Sequence, residues 1–157
     1  MLATTPEDIP DLAVTLTMSG LEFMQKMMAG ELSRPPISGI MNYELEEVAE
    51  GRVVFRGTPE FRHTNPMGGV HGGWYGTLLD SCMACAVMTR VPRGSVYTTL
   101  EYKVNLTRAI PVGMAIRAIG VSDHAGRSTG VSHGEIRGVE DGRLYATGST
   151  TCLIMTP

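Results

Sequence analysis

The clearest pattern in the chain is a strict alternation between two sets of residues over 96–106. One set, which is mostly apolar, is Val96, Thr98, Leu100, Tyr102, Val104 and Leu106. A period of two over eleven residues is typical of a β-strand. Turn-forming residues such as Gly and Asp separate further stretches of strand-like composition. We therefore predict five more strands, at 40–48, 52–58, 113–122, 127–138 and 143–155.

Two other stretches have the spacing of helices. Between Leu12 and Leu32 apolar residues recur every three or four positions, which predicts an amphipathic helix that ends near Gly30. Residues 74–90 are apolar around nearly the whole helical circumference, which predicts a buried helix. The order of elements favours an α+β fold in which an antiparallel sheet wraps this second helix. One face of the helix then lacks a sheet, and a second copy of the chain is its simplest partner.

Length and composition narrow the class of protein. The chain has 157 residues, of which 43% are hydrophobic, and this length and composition indicate one globular domain. Its net charge is −3. A mildly acidic chain lacks the basic face that nucleic acids require. Three cysteines do not make a disulfide framework, so we expect a reducing compartment, the cytoplasm. Neither a secretory signal nor a transmembrane segment is predicted, so we expect no association with a membrane.

One carboxylate interrupts the buried helix. Asp80 is the only acidic residue between Trp74 and Val87. Burying a carboxylate costs several kcal/mol unless it is paired, hydrogen-bonded or left facing a cavity. One interpretation is a residue that caps or pairs locally. The other, which we favour, is a general base or nucleophile held in a dry cleft.

The glycine-rich loop at 65–73 leads directly into that helix. Glycines allow a ligand to approach the backbone closely, and the start of a helix offers unpaired N–H groups and the positive end of the helix dipole. The loop lacks the Gly-Lys-Ser/Thr ending of a phosphate-binding P-loop. A purely connecting loop is the alternative, since such loops are common.

The spacing of the two features has a structural consequence. Gly72 and Asp80 are eight residues apart, which is about 12 Å along a helix. They cannot both contact one carbonyl carbon from the same chain. If both act, Gly72 of one chain must face Asp80 of another across a two-fold axis.

These motifs resemble a known signature. The run Asn65-Pro-Met-Gly-Gly-Val-His-Gly-Gly73 followed by Thr77-Leu-Leu-Asp80 resembles hotdog-fold acyl-CoA thioesterases of the phenylacetate-degradation type. The resemblance implies a hotdog thioesterase domain at 37–157, preceded by an N-terminal segment at 1–36 with the amphipathic helix. It implies a long central helix wrapped by a curved antiparallel sheet, a homodimer that often pairs into a homotetramer, an acyl-CoA substrate, and neither metal nor cofactor.

The resemblance also implies roles for individual residues. Asp80 corresponds to the catalytic carboxylate and Gly72 to the backbone N–H that polarises the thioester carbonyl. Asn65 corresponds to an amide that positions water or substrate, and His71 to the histidine that shapes the loop and contacts the carbonyl. Thr99 aligns with the hydroxyl that supports the carboxylate, although the alternation along the strand favours Thr98.

Three further residues are predicted to bind substrate. Gly73 lies beside the carbonyl-binding amide, and Trp74 either narrows the acyl pocket or packs in the core. Arg127 is one of several candidates for contacting the phosphates of CoA. The pair Cys82 and Cys85 lies among apolar residues of the buried helix and is interpreted as core packing, because a zinc site would need two more ligands.

We therefore predict hydrolysis of an aryl, short-chain or medium-chain acyl thioester to a carboxylic acid and free CoA. Asp80 acts either as a general base or as a nucleophile, and the Gly72 amide of the partner chain stabilises the oxyanion. One alternative is a hotdog enoyl-CoA hydratase or dehydratase. Another is a non-catalytic domain that only binds acyl-CoA.

Overall fold

The computed structural model describes residues 1–157. Its helices are α1 Leu12–Leu16, α2 Gly20–Ala29, α3 Pro36–Ile40 and α4 Gly72–Met88. Its strands are β1 Tyr43–Ala49, β2 Arg52–Gly57, β3 Val96–Leu106, β4 Ile116–Ala125, β5 Thr129–Gly138 and β6 Leu144–Met155. Two short 3₁₀ turns lie at Pro6–Asp8 and Phe61–His63.

The six strands form one antiparallel sheet in the order β1-β2-β4-β5-β6-β3. The sheet wraps α4, and ten residues of this helix are buried. Helix and sheet approach closely at Gly120, where an added Cβ would overlap the backbone carbonyl of Cys82. The predicted α+β fold with a buried central helix is confirmed.

The N-terminal helix prediction was wrong in one respect. The predicted continuous helix from Leu12 is interrupted between α1 and α2. Ser19 caps a new helix by accepting a hydrogen bond from Glu22 N–H, and the Glu22 carboxylate accepts one from Ser19 N–H in return. This capping box starts α2 afresh. The predicted end is confirmed, because Gly30 adopts the left-handed conformation that terminates the helix.

Element boundaries differ from prediction mainly around the turns. The strand predicted at 113–122 runs three residues later, because Gly113 has a positive φ of 87° and lies in a turn. The short helix α3 was not predicted at all; it begins after Pro35 with Pro36 at its first position, where proline's missing N–H costs nothing. None of the helices is long and apolar enough to cross a bilayer.

Strand β3 lies at one edge of the sheet and pairs only with β6. Its outer edge therefore carries unpaired backbone groups. Three large apolar side chains on it, Leu100, Tyr102 and Leu106, are about half exposed. An exposed apolar edge strand is a ready template for pairing with another chain.

Candidate active site

Asp80 lies on the one stripe of α4 that the sheet does not fully cover. Its side chain is half-buried, and Oδ1 accepts a hydrogen bond of 3.0 Å from Thr99 Oγ1. Burial raises the pKa of Asp80 above its ordinary value of 3.8, and the hydrogen bond from Thr99 offsets part of that rise. No positive charge contributes to this balance. The carboxylate is therefore held as a partly desolvated base with a single supporting donor.

A β-bulge decides which threonine supports the carboxylate. Thr99 pairs with Cys152 and Glu101 with Thr151, so Leu100 has no partner in the register. A bulge of one residue reverses which side of the sheet the following side chains occupy. Thr99 therefore faces α4 before the bulge, whereas Tyr102 and Leu106 face it after the bulge. Thr98, which the simple alternation favoured, lies on the opposite face of the strand.

We expect Thr99→Val to lower kcat/KM about tenfold on the acid limb of the pH profile, because it removes a hydrogen bond that favours the ionised carboxylate. Without this bond the pKa of Asp80 rises further, so the acid limb moves to higher pH. In the wild type we expect that limb to lie above the ordinary value for aspartate, because burial raises the pKa of Asp80. Thr98→Val, on the opposite face, is the matched control. A Thr99→Val profile identical to that of the control would exclude the supporting role.

The start of α4 presents a free backbone donor. His71 caps the helix, and its Nδ1 accepts a hydrogen bond of 2.8 Å from Gly73 N–H. Trp74 N–H donates to the His71 carbonyl at 2.9 Å. The first N–H groups of a helix have no intrahelical acceptors, so Gly72 N–H is left to bind a ligand oxygen at the positive end of the dipole.

The same cap fixes the tautomer of His71. Because Nδ1 acts as the acceptor, the neutral ring carries its proton on Nε2. The side chain is exposed, so this N–H is available as a second donor beside Gly72. The arrangement suits polarisation of a carbonyl better than abstraction of a proton.

Asn65 shapes the loop that leads to this cap. Its Oδ1 accepts hydrogen bonds from Met67 N–H at 2.9 Å and Gly69 N–H at 3.2 Å. Its backbone N–H donates to the Gly69 carbonyl at 2.8 Å. The carboxamide oxygen is therefore used within the loop, and only the Nδ2 group can serve water or substrate. That role remains a prediction.

The structure does not bring Gly72 and Asp80 together within one chain. Strand β3 runs along α4 in the opposite direction, with Leu106 beside Gly72 and Thr99 beside Asp80. The helix positions are separated by two turns, about 12 Å. Each chain therefore carries both halves of the predicted site at different points along α4.

The three residues predicted to bind substrate occupy different surroundings. Gly73 is exposed at the helix start, beside an open cleft of about 730 Å³. Trp74 is only 1% exposed, and its indole N–H donates to the Met41 carbonyl, so packing in the core is its main role. Arg127 lies in the β4–β5 turn, at the other end of α4, where Gly130 lies against Val87.

The cleft at the helix start includes two residues that the sequence did not single out. Arg62 is exposed there, and Tyr102 lies with its hydroxyl against Gly76. Arg62 lies three residues before the glycine-rich loop at 65–73, and this proximity is the one signal in the sequence that could have identified it. Tyr102 is recognisable only once the bulge has placed it toward α4.

Comparison with known proteins assigns the family. The sequence model of the thioesterase superfamily matches residues 67–145, half of the chain, which span most of the glycine-rich loop, α4 and strands β3 to β5. The chain belongs to the thioesterase superfamily. It is a thioester hydrolase with a hotdog fold. A search of curated proteins finds no significant match.

Solved structures agree with this assignment. A variant of the phenylacetic acid degradation protein PaaI from Thermus thermophilus is 25% identical with a TM-score of 0.68, covering 75% of this chain and 97% of that one. A thioesterase family protein from Silicibacter pomeroyi (21% identity, TM-score 0.76, 85% and 98% covered) shares the fold. The E. coli PaaI protein from the phenylacetic acid degradation operon also shares the fold. It is 19% identical with a TM-score of 0.74, covering 87% of this chain and 95% of that one.

Proposed function

We propose that this protein is a homodimeric acyl-CoA thioesterase with two equivalent sites, each shared between two chains. Asp80 of one chain supplies the base or nucleophile, and Gly72 of the other supplies the oxyanion donor. The observation that carries the proposal is the half-buried Asp80 carboxylate, which has Thr99 as its one donor and no positive partner. Perturbed carboxylates of this kind are typical of catalytic sites.

The exposed edge of β3 supports the dimer. Antiparallel pairing of two β3 strands about a two-fold axis would remove both unpaired edges and cover Leu100. The two copies of α4 would then run antiparallel, so the start of each would approach the middle of the other. That arrangement brings Gly72 of one chain to Asp80 of the second, which a single chain cannot do. Pairing of two dimers into a tetramer remains a further expectation.

The chemistry follows from the donors and the base. The thioester carbonyl oxygen accepts hydrogen bonds from Gly72 N–H and from His71 Nε2–H, which stabilise the negative charge as it develops. Asp80 either removes a proton from the attacking water or attacks the carbonyl carbon to form a mixed anhydride. In both routes the C–S bond breaks, and CoA leaves as the thiolate and takes up a proton. Water in the second route hydrolyses the anhydride and regenerates Asp80.

The remaining assignments concern substrate and location. Two structural relatives named for phenylacetic acid degradation, one of them also named as a thioesterase, support an aryl or similar acyl thioester as substrate. Gly73 would border the thioester, and Arg127 of a neighbouring chain would be free to meet the phosphates of CoA. Three unpaired cysteines are consistent with a reducing cytoplasm.

The direct test is release of free thiol from a panel of acyl-CoAs, with Asp80→Asn as the inactive control. We expect turnover of at least one acyl-CoA at an ordinary enzymatic rate, about 1–10³ per second. Enoyl-CoA absorbance is followed in parallel. Loss of enoyl absorbance without thiol release would assign the protein to hydration chemistry instead, and stabilisation by acyl-CoA without turnover of any substrate would assign it to binding alone.

A further inference from the structure

Beneath helix α2 lies an apolar cavity of about 190 Å³. Its walls come from α2, from the concave side of β1 and β2, and from α4 and β3. The lining is almost entirely hydrocarbon, thioether and aromatic ring, with Phe23, Met24, Met27, Leu45, Phe55 and Met88 as its main contributors. A cavity with so apolar a surface favours an apolar occupant.

The wall of the cavity includes the residue that follows the proposed catalytic carboxylate. Ser81, which follows Asp80 on α4, forms part of its wall and is hydrogen-bonded to the Tyr43 hydroxyl at 2.9 Å. Tyr97 also lines it and lies on the same side of β3 as Thr99, two residues before it. A carbonyl carbon positioned at Asp80 therefore lies one residue along α4 from the wall of an apolar space within the same chain.

Charged residues mark one edge of the cavity. Arg34 and Glu44 line it and lie 3.8 Å apart as an ion pair. Both side chains are partly exposed, so this edge meets water. A hydrocarbon chain that extended past them would leave its end in water and gain no further burial.

Helix α2, which covers the cavity, is held in place at its start and presents flexible side chains further along. At Gly20 an added Cβ would overlap the Met88 carbonyl, and Gly20 N–H donates to the Val91 carbonyl at 2.9 Å. This close contact ties the start of α2 to the end of α4. Further along, Met24 and Met27 face the cavity with unbranched, adaptable side chains.

We infer that this cavity receives the acyl tail of the substrate and limits it to about six or seven heavy atoms beyond the carbonyl, because a cavity of about 150 Å³ holds benzene. The inference rests on the proposed function for the position of the carbonyl. It assigns the substrate class as medium-chain or single-ring acyl thioesters. It also makes α2, which lies outside the family match at 67–145, the element that sets chain length.

A second cavity offers a way to test this limit. It measures about 140 Å³ and shares Phe23, Met88 and Tyr97 with the first. Phe23→Ala would therefore join the two cavities, while Cys85→Leu would partly fill the first. Met28→Ala is the matched control, because Met28 lies on α2 but lines neither cavity.

The experiment measures kcat/KM for straight-chain acyl-CoAs from acetyl to palmitoyl. We expect the wild type and Met28→Ala to prefer acyl groups of about six to eight carbons, with palmitoyl at least about tenfold poorer. Cys85→Leu should move the optimum about two carbons shorter, and Phe23→Ala should move it longer. If Cys85→Leu does not fold, the comparison of Phe23→Ala with Met28→Ala decides.

Unchanged chain-length preference in both cavity variants, with hydrolysis retained, would overturn the cavity assignment and leave the proposed function standing. Absence of hydrolysis with every acyl-CoA would instead overturn the proposed function. In that case calorimetry with free hexanoate, octanoate and palmitate tests the cavity itself. The cavity assignment is supported if the wild type binds octanoate and Cys85→Leu binds it at least about tenfold more weakly. It is contradicted if the two proteins bind octanoate equally, or if neither binds it.

Discussion

Asp80→Asn is expected to lower kcat for thioester hydrolysis at least about 1,000-fold, because it removes the group that we propose activates water or attacks the carbonyl. Asparagine has nearly the same shape and can still accept the hydrogen bond from Thr99 Oγ1. The dimer and the fold should therefore persist. Single-turnover and steady-state release of thiol, measured beside circular dichroism and light scattering, checks both parts of this expectation.

The stability of the same variant provides a second readout. Burial raises the folded-state pKa of Asp80, so its ionisation opposes folding. This penalty is absent well below pH 3.8 and grows as the pH rises from about 3.8 through the folded-state pKa. Asp80→Asn removes the charge and should be at least as stable as the wild type at pH 7. Asp123→Asn, which changes an exposed aspartate paired with His133, is the activity control.

Retention of more than about a tenth of wild-type kcat by Asp80→Asn would exclude the assigned role. If the variant is inactive, a single turnover of the wild type in ¹⁸O-labelled water tests the nucleophilic route. Label found in Asp80 would indicate an anhydride that water opens at the Asp80 carbonyl and would exclude a simple base. Label found only in the product acid would fit either general-base catalysis or an anhydride that water opens at the acyl carbonyl.

Gly72→Pro is expected to lower kcat about 100- to 1,000-fold, the usual effect of removing one oxyanion donor. Gly72 is the first residue of α4, a position where proline is favoured and where no intrahelical hydrogen bond is lost. His71 precedes it with ψ of 138°, which is compatible with a following proline. The substitution therefore removes the N–H while the helix is retained.

Gly72→Ala is the matched control for this substitution. It adds a Cβ at the same place, where the nearest atom is the end of the Leu106 side chain at 3.3 Å, and it keeps the N–H. Its φ does not lie in the left-handed region, so alanine introduces no backbone strain. We expect Gly72→Ala to retain most of its kcat. Equal losses in the alanine and proline variants would show that the amide proton is not what matters.

The sequence predicted the six strands and the buried helix α4, although it missed α3 and the break between α1 and α2. The apolar circumference of α4 predicted its burial, and Asp80 stood out because it is an isolated carboxylate in that helix. Both conclusions depend only on local patterns. The capping box at Ser19 and Glu22 was also readable, since its spacing is a known start signal for a helix.

Other features depend on how distant segments meet, and no local pattern contains them. The bulge at Leu100 arises from the pairing of β3 with β6, and it alone brings Thr99 to Asp80. The cavity beneath α2 exists because an N-terminal helix packs over a sheet edge formed later in the chain. The separation of Gly72 from Asp80 was predictable from helix geometry. The surface that would join two chains was not predictable, because only the structure shows that β3 is an exposed edge strand.

Subunit complementation tests the shared site most directly. Asp80→Asn and Gly72→Pro chains are mixed in equal amounts, unfolded and refolded together. Random pairing gives half of the dimers one chain of each kind, and each such dimer has one of its two sites intact, so we predict recovery of about a quarter of wild-type activity. If the mixture stays as inactive as its separate components, although light scattering shows dimers, Gly72 and Asp80 do not act across two chains and the account is contradicted.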